Sequence, residues 1–121
     1  MKRDMELVRK LLLYIEENYK DEVLRSPQIN IEGYSRQEIS YHLRLMADGG
    51  LINVLDSVAL KDGTYDCAIE GLTWRGHEFL DLVRDEGAWS NVKGALKPVG
   101  TVSFEVIKNL AVAYVSAKLG L

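Results

Sequence analysis

Residues 39–52 read ISYHLRLMADGGLI, and the fold turns on how that stretch is bounded. Ile39, Leu43 and Met46 recur at the four-then-three spacing that lines one face of an α-helix. Just upstream, Ser35 and Glu38 form a Ser-x-x-Glu capping box, which predicts a helix starting at residue 36. Downstream, Gly49 or Gly50 can take the left-handed conformation that ends a helix at little steric cost. Leu51 then opens LINVLDSVAL, and TYDCAIEGL follows after Lys61-Asp62-Gly63, so the Asp-Gly pair predicts a β-hairpin turn.

Outward from that core the remaining elements follow. Met5, Val8, Leu12, Ile15 and Tyr19, widened by Leu11, predict an N-terminal helix that closes near residue 19 or 20. Pro27 stops a helix from continuing, and the alternation of Ile29 and Ile31 with Asn30 and Glu32 predicts a short strand ended by Gly33. After the hairpin, Thr73 is the expected N-cap of a helix with Trp74, Phe79, Leu80 and Val83 facing inward and Gly87 ending it. A short helical piece over residues 88–96, a break at Pro98 and Gly100, and a last helix capped by Ser103 complete the chain. A helix whose glycine-marked end leads into a β-hairpin is the winged-helix arrangement. The expected architecture is therefore α+β: a winged helix over residues 1–86 with its second helix reduced, and a C-terminal helical extension over residues 87–121.

ISYHLRLMADGGLI resembles the recognition-helix segment of bacterial winged-helix transcriptional regulators, in which an apolar–Ser–x–His–Leu–basic run ends in Gly–Leu–Ile at the first wing strand. LTWRGHEFLDLVRD resembles the stretch that begins the helix after the wing in the same superfamily. Over residues 1–13, 33–43 and 72–80 the chain is more closely similar to a bacterial and phage-associated domain-of-unknown-function family, and more loosely to the YjcQ-like phage proteins. The resemblance implies a fold and leaves the role open. One departure from the regulator pattern is plain: SPQININIEGY fills the place of the helix that normally precedes the recognition helix.

Composition narrows the classes. The 121 residues carry a net charge of −3, with 47% hydrophobic and 27% charged residues, which suits one ordinary globular domain. Residues 1–86 hold 11 Lys/Arg against 17 Asp/Glu, whereas residues 87–121 hold four against one. Cys67 is the single cysteine, so no intrachain disulfide forms and a reducing, cytoplasmic home is expected. No signal peptide, and no apolar run of the ~20 residues a bilayer requires, is present, so no membrane role is expected.

Helical steps of about 100° per residue place Gln37, Ser40, Tyr41 and Arg44 opposite the apolar stripe of residues 36–47, with Arg36 at its rim. Arg, Gln and Ser side chains read base edges in a major groove, and Tyr touches phosphate or stacks. With Lys61 on the hairpin, these are the candidate DNA contacts; the alternative is an ordinary solvated face. Charge opposes the DNA reading, because residues 35–66 set Arg36, Arg44 and Lys61 against five carboxylates. His42 and His77 lack ligand-spaced neighbours and are expected to pack at the core edge without a metal. Cys67 is expected to be a small core residue, and the absence of a phosphate loop, dinucleotide fingerprint or nucleophile elbow argues against an enzyme and for no cofactor. The last helix is apolar nearly all round, so Trp89, Phe104, Ile107, Leu110 and Tyr114, with Trp74, are candidates either to dock the tail or to form a homodimer interface. Two roles stay open: a DNA-binding transcriptional regulator, or a prophage-type module that has lost DNA binding and meets a host protein.

Overall fold

A computed structural model describes residues 1–100 and 102–121. Among the described residues the chain is α+β, with five α-helices and one three-stranded antiparallel sheet. In order these are α1 (Met5–Asn18), β1 (Leu24–Arg25), a 3-10 turn (Ser26–Gln28), α2 (Arg36–Asp48), β2 (Ile52–Ala59), β3 (Tyr65–Leu72), α3 (Trp74–Val83), α4 (Glu86–Leu96) and α5 (Phe104–Lys118). Contacts divide the chain into two compact units, Met1–His77 and Glu78–Leu121, whereas the boundary expected at residue 86 falls at the start of α4.

In the first unit, the Asp4 carboxylate caps α1 by accepting from the N–H groups of Glu6 (2.9 Å) and Leu7 (3.4 Å). The helix buries Val8, Leu11, Leu12 and Ile15, and also Leu7, which lay outside the expected stripe. α2 forms as its capping box dictates: Glu38 N–H donates to Ser35 Oγ (3.1 Å), and Ser35 N–H donates to the Glu38 carboxylate (2.9 Å). Ile39, Leu43 and Met46 are buried. Gly50, at φ +74°, supplies the left-handed step that closes the helix, and Leu51 N–H reaches back to Met46 C=O.

The sheet order is β1-β3-β2, so β3 is central. The strand expected at Ile29 and Ile31 is not formed. Pairing instead falls at Leu24 and Arg25, against Ile69 and Ala68. Pro27, which lacks a donor and holds φ near −65°, suits the start of the 3-10 turn and not a ladder. Ile29 is buried, but as the residue closing that turn. The hairpin between β2 and β3 has a three-residue loop: Leu60 N–H donates to Thr64 C=O (2.8 Å), Gly63 N–H to Leu60 C=O (3.0 Å), and Gly63 sits at φ +84°. That is a turn followed by a left-handed glycine, a common three-residue hairpin closure.

Thr73 caps α3 as expected, its hydroxyl accepting from Gly76 N–H (2.9 Å) while donating to Gly50 C=O. Any Cβ on Gly76 would stand 2.0 Å from the Leu51 carbonyl oxygen, so the first turn of α3 lies directly on backbone. Trp74, expected to face inward, is 82% exposed. Thr73 and Gly76 occupy the side of that turn facing Gly50 and Leu51, which leaves the indole in solvent.

In the second unit, Phe79, Leu80, Val83, Trp89 and Val92 are buried, and the rings of Phe79 and Phe104 lie 4.7 Å apart. α3 stops at Val83, so Gly87 does not end it. Gly87 falls within the first turn of α4, whose cap is the Asp85 carboxylate accepting from Ala88 N–H (2.9 Å). Ser103 caps α5 by accepting from Val106 N–H. Along α5 only Ile107 and Ala111 are buried, and Val106 and Val112 stay exposed. Among the described residues no helix is long and apolar enough to cross a membrane.

Candidate functional site: the outer face of α2 and the hairpin tip

The outward face of α2 presents Arg36, Gln37, Tyr41 and Arg44, all exposed. Ser40 does not join them. It is buried, with its hydroxyl donating to Tyr65 C=O (3.0 Å) and accepting from Tyr65 N–H (2.5 Å). The reason lies in β3, a central strand whose partner β1 is only two residues long. Beyond Ala68, the edge of β3 facing away from β2 is completed by side chains: Cys67 N–H donates to Ser26 Oγ (2.9 Å), and Tyr65 is served by Ser40. Two serine hydroxyls thus continue the ladder that β1 begins: Ser26 accepts from Cys67 N–H and passes its own proton to the Asp66 carboxylate (3.0 Å), and Ser40 both accepts from and donates to Tyr65. Ser40 is a sheet-edge partner and has no hydroxyl left to read a base.

Lys61 stands exposed at the hairpin tip beside Asp62. Hydrogen bonds from the Thr64 hydroxyl (2.6 Å) and Thr64 N–H (3.0 Å) hold the Asp62 carboxyl below the usual aspartate range, and the positive charge of Arg36 adds to this. The tip therefore carries a firmly ionised carboxylate within the field of Arg36.

At the other side of α2, buried His42 joins the two helices. Asp4 N–H donates to His42 Nε2 (2.8 Å), and Nδ1 lies 2.8 Å from Glu38 C=O, which can only accept. The proton is thereby assigned to Nδ1, giving the neutral imidazole. Tyr34 shares this corner: burial, then the Asp4 carboxylate, pushes its phenol up to about 12, and Lys10 lies over its ring at 5.6 Å. His42 packs in the core as expected, whereas His77 is exposed. No cluster of metal-ligating side chains exists among the described residues.

In the second unit, Trp89 and Ile107 are buried, which removes them from any surface patch, while Phe104, Leu110 and Tyr114 are half-buried. A cleft of about 250 Å³ there is lined by Asp81, Asp85, Tyr114 and Lys118 among others. Its carboxylates are engaged, Asp81 with Arg84 (2.9 Å) and Asp85 as the α4 cap. Cys67 is buried, and desolvation pushes its thiol up, against nucleophilic use.

Sequence comparison adds kinship. A protein of Haemophilus influenzae strain Rd, described only as uncharacterized, is 31% identical over 120 residues, covering 98% of this chain and 99% of that protein. No solved structure matches. The model of a family described as hypothetical protein (DUF2513) matches residues 2–103, which span α1 through the segment after α4. The chain belongs to the DUF2513 family.

Proposed function

We propose that residues 1–77 form a winged helix whose second helix has shrunk to the 3-10 turn at Ser26–Gln28, and that its α2 face contacts double-stranded DNA weakly, as a transcriptional regulator. Two features support the reading. The order helix, strand, turn, helix, strand, strand comes with a sheet in which the first strand pairs the third. The observation that carries it is the pair of hydrogen bonds between Ser40 on α2 and the main chain of Tyr65, which holds the helix against the first residue of β3, just past the hairpin loop. With Arg36 one turn before Ser40 and Lys61 in that loop, the start of α2 and the hairpin tip lie on one side of this unit, the side on which a duplex would meet Arg36, Gln37, Tyr41, Arg44 and Lys61.

The electrostatics bound the affinity. Three cations neutralise at most about three phosphates, so the slope of log K against log salt is no steeper than about −2.7 per chain. Fluorescence anisotropy with sheared duplex DNA at low salt tests this. Arg44→Ala and Lys61→Ala are each expected to flatten the slope by about 1. Absence of binding at tens of micromolar protein, or a slope indifferent to both changes, refutes it.

A second reading, a prophage-type module docking a basic host protein, is favoured by the exposed carboxylates Asp48 at the end of α2, Asp56 on β2 and Asp62 in the hairpin loop. A pull-down that returns only nucleic acid counts against it.

A further inference from the structure

Three consecutive residues of α2 fix what borders its outward face. Successive helical positions turn by about 100°, so Ser40 and His42 fall on opposite flanks with Tyr41 midway between them. Ser40 is buried and bonded to the main chain of Tyr65 at the start of β3, whereas Tyr41 is exposed. His42, 1% exposed, accepts from Asp4 N–H at Nε2 (2.8 Å). The polar face of α2 is therefore framed on one flank by the hairpin strand and on the other by the segment entering α1.

That segment is basic. Lys2 and Arg3 immediately precede Asp4, and residues 1–3 are exposed and lie outside any helix or strand. An extended chain advances at most about 3.6 Å per residue, so the Lys2 and Arg3 main chain stays within about 7 Å of the Asp4–His42 anchor. The carboxylates beside the anchor are engaged in helix caps: Asp4 accepts from Glu6 N–H (2.9 Å) and Glu38 from Ser35 N–H (2.9 Å).

We propose that Lys2 and Arg3 form a second cationic contact to double-stranded DNA, on phosphates of the strand that borders the groove at the His42 flank, and that His42 positions them. The inference rests on the reading of α2 as the duplex-facing helix and deepens it. With its proton on Nδ1, facing Glu38 C=O, the imidazole can only accept at Nε2, and so holds Asp4 N–H. A duplex seated against Tyr41 then meets Lys61 and the hairpin on one side and Lys2 and Arg3 on the other. The cations available rise from three to five. The limiting slope of log K against log salt steepens from about −2.7, for α2 and the hairpin alone, to about −4.5.

Fluorescence anisotropy of the full chain on duplex DNA across a salt series tests this. Lys2→Ala/Arg3→Ala is expected to flatten the slope by about 2, equally on A·T-rich and G·C-rich duplexes. Its thermal melt is expected to match wild type, because both side chains are exposed. His42→Leu keeps both cations and removes the acceptor; it is expected to flatten the slope too, and adding the Lys2 and Arg3 changes to it is expected to bring little more. Should His42→Leu fail to fold, the Lys2→Ala/Arg3→Ala protein still decides. A slope that responds to Arg44→Ala and Lys61→Ala but not to Lys2→Ala/Arg3→Ala overturns this inference and leaves the α2 reading standing. A loss confined to A·T-rich duplex also overturns it, since that marks minor-groove readout in place of phosphate contact. A folded His42→Leu protein with the wild-type slope overturns the positioning role. No duplex binding by any form at tens of micromolar overturns both readings together.

Discussion

Replacing Ser40 with alanine separates a surface role from a structural one. The Ser40 hydroxyl is the partner of both Tyr65 N–H and Tyr65 C=O, at 2.5 and 3.0 Å, and Ser40 is 4% exposed. Alanine leaves two main-chain groups with no acceptor or donor on that edge. A buried polar group left unpaired costs about 1–3 kcal/mol. Tyr65 is only partly buried, so water recovers some of each bond, and the lower end applies: about 1 kcal/mol per group, or about 2 kcal/mol in all. For a chain of this size that lowers Tm by roughly 8 °C. Urea and thermal melts followed by far-UV circular dichroism measure the loss. Amide hydrogen exchange localises it, because Tyr65 N–H is expected to lose its protection before its neighbours on β3. Arg44→Ala and Gln37→Ala, both exposed, are expected to stay within about 0.5 kcal/mol of wild type. Wild-type stability for Ser40→Ala together with weakened duplex binding refutes the reasoning and returns Ser40 to the DNA-facing side.

Four further outcomes follow from the same geometry. Gly76→Ala drives a Cβ to 2.0 Å from the Leu51 carbonyl oxygen, and it is expected to cost more than about 3 kcal/mol or abolish cooperative melting. Nitrogen NMR of His42 is expected to show the proton on Nδ1, and His42→Ala, which strands Asp4 N–H, to destabilise by about 1–2 kcal/mol. Ultraviolet titration is expected to find one of the six tyrosines, Tyr34, ionising near 12; because its folded pKa is raised, its contribution to stability is whole below the ordinary phenol value and is lost as pH rises through about 12. Asp62 has the opposite sign: its depressed carboxyl stabilises the tip above the ordinary aspartate value of ~3.9 and ceases to do so as pH falls through its lower folded value, which carboxyl carbon shifts will report.

Several elements were legible because their determinants are local. The α2 start rests on a bond between residues three apart, the hairpin closure on a left-handed glycine at position 63, and the caps at Thr73 and Ser103 on hydroxyls reaching N–H groups three residues on. Capping, turn chemistry and helical period act within a few residues, so a sequence exposes them directly. Trp74 misled for the complementary reason. It looked like the first member of an apolar stripe, but the side of that turn is chosen by Gly76 lying against Leu51, 25 positions away.

What the chain alone determined is the set of elements and their order: a capped helix stopped by glycine, a hairpin, and helices with readable starts. What only the tertiary structure decided is which polar residues remain outside. Ser40 lies about 100° round α2 from buried Ile39, on the flank of the helix, where a serine serves solvent and core equally well. It turned inward because β1 is two residues long and the exposed ladder of β3 needed a partner at Tyr65, a demand created 25 residues further along the chain.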